Sequence, residues 1–385
     1  FDRHDGDAAT IEDWLKVFED ATGRDLSQFK LWYSEAGTPR LAVSEDWADG
    51  VYTLTFTQKT APTPGQPVKQ PRVIPIKVGL LNPNGDEVVP TIMLEMTKAK
   101  QSFRFEGLAA RPVPSILREF SAPVILDRKV SAQERAFLLS HDTDPFNKWE
   151  AGRALAKDVL AEMALKGAPV SQDWLEAMAA VVFDESLDPA FRALCLKLPA
   201  EDDLAQTIHA MGRVPDPARI HAARREMVGV LAVRLGEGLQ RLYAGLDDGK
   251  AAYSPGAEQA GRRALRLAVL GLLTRRDGGK LAAAAYAKSG SMTETVGALS
   301  ALLDVGQGKA ELADFGARWR GNRNVMDKWY TLQVAHAEPG EMAGIATRLL
   351  VLDKVESSNE PVAISTNEFC QLVDLVDALP ARASR

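Results

Sequence analysis

Residues 130–139 read VSAQERAFLL and divide the chain into a part with the period of β-strands and a part with the period of α-helices. Ser131 and Glu134 have the spacing of a capping box, in which each side chain accepts a hydrogen bond from the backbone N–H of the other residue. After this point apolar residues recur every three or four positions, which is the repeat of one face of a helix. The capping box therefore predicts the first helix of a helical region.

The segment before this point, residues 40–128, shows the alternation of polar and apolar residues that half-buried strands have. Short runs of this kind occupy residues 51–57, 74–81, 88–89, 92–96, 102–105 and 119–126. Turn sequences such as NPNG at residues 82–85 separate them at intervals of about 8–12 residues. This spacing predicts a small immunoglobulin-like β-sandwich.

Two features of the predicted sandwich involve proline. Pro75 has no backbone N–H to donate, so the run at residues 74–81 is expected at an edge or at a bulge. Residues 60–71 read TAPTPGQPVKQP and predict an extended, exposed loop. We interpret this loop as a long hairpin connection, and the alternative is a polyproline II ligand for another protein.

Residues 129–385 predict an all-α region of about a dozen helices. Asp-Pro recurs at residues 144–145, 188–189 and 216–217, which places an N-cap aspartate before a proline at the first helical position. So many sequential helices exceed the core of one bundle and favour a curved superhelical solenoid, although we find no fixed sequence period. Other helices are expected after Ser171 and at residues 257–274, 277–288, 293–304, 309–320, 324–336 and 341–352.

The first 39 residues predict two short amphipathic helices. Thr10 is expected to cap the first helix and Gly23 to end it, while Asp25 is expected to cap the second helix, at residues 26–33. Two helices of this length do not bury each other's aromatic residues, namely Trp14, Phe18, Phe29 and Trp32. We therefore expect residues 1–39 to belong to a larger domain whose remainder precedes Phe1.

The overall composition argues against several classes of protein. The formal charge of the 385 residues is −6, which does not suit a nucleic-acid-binding protein that depends on bulk positive charge. No apolar run approaches the ~20 residues that a membrane-spanning helix needs. Cys195 and Cys370 lie far apart in sequence, so a disulfide framework is not expected. We expect a monomeric protein of a reducing, cytoplasmic compartment.

Known catalytic and metal-binding patterns do not occur in the sequence. There is no G-x-S-x-G nucleophile motif, and GGK at residues 278–280 lacks the rest of a phosphate-binding loop. No H-E-x-x-H pair, which would place two zinc ligands on one helix face, occurs among the five histidines, His4, His141, His209, His221 and His336. We therefore predict no catalytic residue and no metal ligand in this chain, and the substrate-binding residues stay unknown.

Three groups of residues allow more than one interpretation. Arginines at residues 224–225, 262–263 and 266 form either an anion site or, as we prefer, solvated helix faces. Trp319 and Trp329 lie near the basic sequence RGNR and either stack on nucleic acid or, as the net charge favours, pack between helices. Cys195, within FRALCL, is interpreted as a core residue.

Several long motifs, in the same order, resemble bacterial aminopeptidase N. This family consists of zinc-dependent alanyl aminopeptidases of the gluzincin class of metallopeptidases. The resemblance is nearly continuous from Phe1 to about residue 337. It is carried by RHDG (3–6), TIEDWLKVFEDATGRDLSQF (10–29), WYSEAGTP (32–39), FEGLAARPVPSILREFSAPV (105–124), FDESLDPAFRALCLKLPAEDDLA (183–205) and NVMDKWYTLQ (324–333).

The resemblance implies an architecture and a division of labour. Residues 1–39 would be the last helices of a thermolysin-like catalytic domain, residues 40–128 a sandwich, and residues 129–385 a helical superhelix arching over the active site. The family's H-E-x-x-H motif, its glutamate ligand and its G-x-M-E-N motif have no matching positions here. The resemblance therefore implies zinc in the full-length enzyme and none bound by this chain.

The end of the chain departs from the family pattern. Residues 351–385 contain no N-P-N-R segment, which the family carries in its later helices, so this stretch is interpreted as divergent. Closure of the superhelix over the active site is not expected to follow the family pattern here.

Two functions remain in competition. The first is the C-terminal part of a zinc aminopeptidase that removes N-terminal residues from peptides, in which this portion shapes the chamber over the active site. The alternative is a stand-alone helical solenoid that binds protein or peptide on its concave surface. Peptides are the expected partners, with neither nucleic acid nor a membrane involved. The reading frame upstream of Phe1 would distinguish the two.

Overall fold

The computed structural model describes residues 2–247, 249, 251–337, 340–341 and 344–345, which belong to two compact units. Unit 1 contains the chain up to Leu187 and residues 194–224, and unit 2 contains residues 188–193 and the chain from Arg225 onward. Most of the expected helix at residues 341–352, and all of residues 351–385 with Cys370, lie outside the described residues.

A sandwich in unit 1 is built from two sheets. One sheet has the strand order β5-β2-β1-β7 and the other β4-β3-β6. All neighbouring strands are antiparallel except β1 and β7, which are parallel. The strands are β1 (Arg40–Ala48), β2 (Val51–Lys59), β3 (Ile74–Leu81), β4 (Glu87–Met96), β5 (Lys100–Phe105), β6 (Val113–Ile116) and β7 (Ile125–Asp127).

The core of the sandwich receives every second side chain of its central strands. Tyr52, Leu54 and Phe56 of β2 and Ile74 and Ile76 of β3 are fully buried and belong to one cluster. Successive residues of a strand point to opposite faces, so the alternation in the sequence becomes one buried face for each sheet. Each such side chain contributes roughly 1.5–3 kcal/mol when fully buried.

Several strand predictions need correction. Residues 74–81 form β3, which is the central strand of its sheet, so the edge alternative is wrong; β3 does have register shifts, but they lie between Val78 and Leu81 and not at Pro75. Pro75 is tolerated because β6 pairs only with Val78 to Leu81. Residues 118–120 form a 3-10 turn, and of the expected strand at 119–126 only residues 125 and 126 belong to a strand, β7. The sequence patterns do not predict β1 or β6.

The prediction for the proline-rich loop is wrong, whereas the prediction for the NPNG turn is confirmed. Residues 60–71 connect β2 to β3, which lie in different sheets, so the expected hairpin connection is wrong and the loop crosses between the sheets. The NPNG turn is confirmed: it joins β3 to its antiparallel neighbour β4, with the Gly85 N–H donating to the Asn82 carbonyl at 3.0 Å.

The first helix, α1 (Ile11–Thr22), has the predicted ends. Thr10 and Asp13 form a reciprocal capping box, and Gly23 ends the helix in the left-handed conformation at φ 69°. Of its residues only Leu15 is buried, while Trp14 is 49% exposed and Phe18 is 43% exposed. The apolar side of α1 is therefore largely uncovered in the part of the chain that the structure describes.

The second predicted helix is much shorter than expected. Residues 27–30 form turns, and only α2 (Leu31–Ser34) is helical. Tertiary contacts explain the difference, because Trp32 packs against the sandwich core and its indole N–H donates to the Val73 carbonyl at 2.7 Å. The Arg72 guanidinium lies 4.9 Å from the centre of the Trp32 ring and fixes this segment on the sandwich.

Most helices of unit 1 begin where local capping predicts, and α7 is the exception because Ala200 before it has no capping side chain. The helices are α3 (Ala132–His141), α4 (Pro145–Lys166), α5 (Gln172–Phe183) and α7 (Glu201–Ala210). The side chains of Ser131, Asp144 and Ser171 each accept the N–H three residues ahead. Only this half of the box forms at Ser131, since the Glu134 carboxylate pairs with Arg128 at 2.6 Å.

Unit 2 is helical in the described residues. Its core is formed mainly by α9 to α13, where Phe315 is fully buried and Trp319 and Trp329 pack at the border. Two further helices, α6 and α8, have residues in both units, and α8 is interrupted at Gly236. The helices are α6 (Pro189–Cys195), α8 (Pro217–Gly245), α9 (Ala257–Asp277), α10 (Lys280–Lys288), α11 (Met292–Leu303), α12 (Lys309–Trp319) and α13 (Arg323–Ala335).

Candidate functional site

The histidines do not assemble a metal site. His221 Nδ1 lies 2.9 Å from the Glu201 carboxylate, and His336 Nε2 lies 3.0 Å from the Ser300 hydroxyl. Burial lowers the pKa of His336, which favours its neutral form. Among the described residues, no three histidine, cysteine, aspartate or glutamate side chains come together in a way that would hold a metal ion. The residues present therefore do not fit the zinc that the resemblance implies, and we assign no step of zinc chemistry to them.

Cys195 lies in a poorly solvated environment in unit 1. Burial raises the pKa of its thiol to about 12, and the nearby Lys148 only partly opposes this. A thiol with such a pKa is protonated at neutral pH and is a poor nucleophile. Lys148 itself donates to the Ser140 carbonyl at 2.8 Å, and burial lowers its pKa. The side chain of Cys195 is half-buried, and its environment agrees with a structural role.

Trp319 and Trp329 pack against the core cluster of unit 2, which confirms the packing interpretation. The Trp329 indole N–H donates to the Leu312 carbonyl at 2.8 Å. Gly316 allows this close approach, because an added Cβ would lie 2.8 Å from the indole nitrogen.

The predicted arginine groups separate in the structure. Arg224 lies in unit 1, where it donates to the Pro199 carbonyl at 2.8 Å and pairs with Glu201 at 3.3 Å. Arg262, Arg263 and Arg266 lie on α9 in unit 2. The last two, three residues apart on one side of α9, line the same cleft. The preferred interpretation as solvated faces is therefore wrong for the buried Arg263, whereas Arg266 forms an exposed ion pair.

This cleft has a volume of about 690 Å³, which is within the usual range for small-molecule sites. It is formed by the end of α8 and the loop that follows it, one side of α9, the end of α10 and the start of α11. We call it the unit 2 cleft. Its apolar wall includes Leu246, Leu267, Leu270, Leu281 and Ala285.

Tyrosine rings orient both arginines of the unit 2 cleft. The Arg263 guanidinium lies 4.6 Å from the centre of the Tyr253 ring, and the Arg266 guanidinium lies 4.6 Å from that of Tyr243. Stacking of this kind holds a guanidinium in one plane and leaves its edge free for oxygen ligands. The arginines stand out in the sequence as a cluster, whereas the two tyrosines belong to no recognisable motif.

The charges of the two arginines are balanced differently. Arg266 donates to the Asp247 carboxylate at 2.6 Å. Arg263 is only 9% exposed and donates to two neutral oxygens, the Ser254 carbonyl at 2.8 Å and the Gln259 amide oxygen at 3.2 Å. No carboxylate of the described residues forms an ion pair with it.

Polar residues of α10 and α11 also line the unit 2 cleft. Lys288 ends α10, and Ser291 caps α11 by accepting the Glu294 N–H. The Glu294 carboxylate in turn accepts from the Ser291 hydroxyl at 3.0 Å and the Gly290 N–H at 3.3 Å. These contacts occupy Glu294 locally, and the lining residues include no histidine or cysteine to serve as a base or a thiol nucleophile. The arginines and Lys288 give the cleft positively charged groups that can bind an anionic ligand.

Family models match most of the chain. Residues 132–354 match a domain of unknown function (DUF3458_C) described as ARM repeats, and residues 37–129 match a domain of unknown function (DUF3458) described as an Ig-like fold. The expected fold class, an immunoglobulin-like domain followed by a helical repeat region, is confirmed. The absence of a fixed period in the sequence agrees with the variable helix lengths, for example 7 residues in α6 and 22 in α4.

Three curated proteins named Aminopeptidase N are similar to this chain. The identity is 34% to that of Escherichia coli (strain K12), 39% to that of Caulobacter vibrioides and 31% to that of Haemophilus influenzae. The matches cover 86%, 88% and 87% of this chain, respectively, and 40% of each relative. The chain thus spans about two fifths of the length of the curated relatives it matches.

A solved structure shows the same similarity. The crystal structure of Legionella pneumophila aminopeptidase A in complex with aspartic acid matches with a TM-score of 0.76 and 25% identity, over 90% of this chain and 41% of that one. Within the described residues, no helix has the length and apolar character needed to span a bilayer. The chain therefore belongs to the DUF3458_C family of ARM-repeat domains and corresponds to the C-terminal part of the aminopeptidase N proteins.

Proposed function

We propose that this chain is the C-terminal part of a zinc-dependent aminopeptidase that removes N-terminal residues from peptides. The observation that carries the proposal is the uncovered apolar side of α1, together with the match to only 40% of each relative. In this proposal the zinc, its ligands and the groups that bind the substrate's free amine belong to a catalytic domain upstream of Phe1. The enzyme would act in the cytoplasm as a monomer.

The uncovered side of α1 is larger than isolated surface residues would make it. Ile11, Trp14, Val17 and Phe18 are between 38% and 49% exposed, and both Val17 and Phe18 lie within one helical turn of Trp14, which lies three residues after Ile11. The Trp14 and Phe18 ring centres are 4.6 Å apart, so the two rings form one patch. Contiguous apolar patches of this kind mark interaction surfaces, and in this proposal the partner of the patch is the upstream domain.

The proposed contribution of this chain is to shape the chamber over the active site and so limit which peptides enter. Hydrolysis itself would be carried out by groups outside the chain, since its described residues hold no metal site. An alternative, a stand-alone scaffold that binds peptide or protein, is favoured by the unit 2 cleft, whose described lining residues all belong to unit 2.

We expect the isolated 385-residue chain to bind no stoichiometric zinc. The reason is the separation of its histidines, of which His221 and His336 each contact a residue that is not part of a ligand cluster. The check is metal analysis after dialysis against a buffer with trace zinc. About one tightly held zinc per chain would contradict the expectation.

We also expect the isolated chain to have no aminopeptidase activity, even with added zinc. Enzymes accelerate their reactions by at least about 10⁶-fold, and a chain without the metal and the amine-binding groups lacks the means to do so. A chromogenic alanyl substrate measures this, with the Escherichia coli Aminopeptidase N as the positive control. Hydrolysis above the buffer rate that a chelator abolishes would contradict the proposal.

A further inference from the structure

We infer that the unit 2 cleft binds the C-terminal carboxylate end of a peptide, with the carboxylate at Arg263 and the last side chain against the apolar wall. This goes beyond hydrolysis at the N-terminus of a substrate. The choice of a peptide as the ligand class rests on the proposed function, whereas the need for an anion at Arg263 rests on the cleft alone.

Arg263 carries a buried positive charge that no carboxylate of the described residues neutralises. Its guanidinium is permanently charged and its side chain is more than nine-tenths buried, yet its contacts within the described residues are a carbonyl, an amide oxygen and the Tyr253 ring. Buried charges in proteins are usually paired, because removing a charge from water is costly. Arg263 has donors left after these two hydrogen bonds, so a carboxylate in the cleft would complete its coordination.

Among the described residues that line the cleft, the neighbouring charges leave Arg263 and Lys288 as the cations available to a ligand. Asp247 neutralises Arg266 at 2.6 Å, and the Glu294 carboxylate is engaged at the start of α11. Lys288 is exposed on the rim of the cleft. One buried cation and one cation at the rim therefore face the cleft without an ion-pair partner among the described residues.

The size of the unit 2 cleft and its apolar wall favour an organic ligand over an inorganic anion. A volume of about 690 Å³ is far larger than an inorganic anion needs, and leucine and alanine side chains of α9 and α10 line one side. A ligand that uses both features has a carboxylate next to an apolar group, as the last residue of a peptide with an aliphatic side chain has. Phosphate would leave the apolar wall unused.

The test is a calorimetric titration of the 385-residue chain with N-acetyl-Ala-Ala-Leu and with the C-terminal amide of the same peptide. Acetylation removes the free amine that an aminopeptidase needs, so the result does not depend on the proposed activity. We expect the acid to bind at least about tenfold more tightly than the amide, which is the effect of losing one charge-assisted contact. Inorganic phosphate, titrated alone, is expected to bind more weakly than the acid.

Matched variants assign the effect to the cleft. Arg263→Gln is expected to abolish the preference for the acid, and Arg276→Gln, the same change at an exposed position of α9 outside the cleft, is expected to preserve it. If Arg263→Gln does not fold, Lys288→Gln at the exposed rim provides the second test and should weaken binding of the acid severalfold.

Three results would overturn the inference. They are equal binding of acid and amide, no binding of either, or binding of the acid that survives both Arg263→Gln and Lys288→Gln. Phosphate binding as tightly as the acid would overturn the assignment of the ligand class. None of these results would touch the proposed catalytic role of the upstream domain, which the assay of alanyl hydrolysis tests separately.

Discussion

Replacing Arg118 with methionine is expected to lower the free energy of unfolding of unit 1 by about 3–5 kcal/mol, the cost of removing one partner from a buried ion pair. Arg118 is 1% exposed, and its guanidinium pairs with the fully buried Asp142 at 3.1 Å. It also pairs with Glu87 and donates to the Ser115 hydroxyl at 2.9 Å. Methionine fills much of the same space but leaves both carboxylates without a cation.

The Arg118 guanidinium contacts both the sandwich, at β3, and the residue that follows α3. An added Cβ at Gly79 would lie 2.1 Å from its central carbon, so only glycine on β3 admits this side chain. Asp142, just after α3, brings the helical region to the same guanidinium through its 3.1 Å contact. Loss of Arg118 should therefore weaken the attachment of the first helices to the sandwich and not only the sandwich itself.

The pH dependence of this variant provides an internal check. Burial raises the pKa of Asp142, which Arg118 opposes, and without Arg118 that pKa should rise further above its unfolded value. A raised pKa in the folded state costs stability as the pH rises through and above the unfolded value. The loss relative to the wild type should consequently be larger at pH 7.5 than at pH 4.5.

Urea unfolding at both pH values measures the effect of Arg118→Met. The matched control is Arg104→Met on β5, where the arginine side chain is 65% exposed and pairs only with the exposed Glu106. This control should change the free energy of unfolding by less than about 0.5 kcal/mol. Equal losses for the two variants would show that the buried network at Arg118 does not stabilise the fold.

The second large effect is expected in hydrogen exchange. In the isolated chain, amides from Trp14 to Phe18 should exchange at least about 100-fold faster than those around Leu231 of α8, because a lone helix of about twelve residues is marginal in water. Only Leu15 of α1 is buried, whereas Leu231 is 1% exposed. The external ties of α1 include exposed ion pairs such as Lys30–Glu12 at 3.1 Å, which contribute little.

The hydrogen-exchange prediction applies to α1 and not to the segment after it. Residues 26–33 differ from α1, because Trp32 and Gln28 donate to backbone carbonyls of the sandwich region. Protection at Trp32 should therefore exceed that at Trp14. Equal protection of Trp14–Phe18 and Leu231 would show that α1 is stable without a covering domain.

Local signals explain what the sequence predicts correctly. Helix starts at Ser131, Asp144 and Ser171 were predictable because the capping side chain and its N–H partner lie three residues apart. The start of α7 follows Ala200, which has no capping side chain, and the sequence pattern does not reveal this helix. The sequence pattern does not reveal strand β1 either. Its apolar alternation is interrupted by Glu45, a polar residue whose carboxylate pairs with Arg128 and accepts from the Tyr52 hydroxyl.

Contacts between distant residues explain what could not be predicted. Glu87, Arg118 and Asp142 span 55 positions, and only the folded chain shows that they share one buried site. The unit 2 cleft has the same origin, because Tyr243 and Tyr253 become part of a site only when α9 places its arginines on their rings. Whether the 385 residues contain an H-E-x-x-H pair, in contrast, can be read from the sequence alone, since it is a local pattern.

We propose above all that this chain is the C-terminal part of a zinc aminopeptidase whose catalytic groups lie upstream. The most direct test is to sequence the gene upstream of the codon for Phe1. We predict an open reading frame that continues upstream and encodes an H-E-x-x-H motif with a further glutamate ligand after it. A frame that starts at or just before Phe1, or that encodes an upstream domain without this motif, would contradict the claim and favour the scaffold.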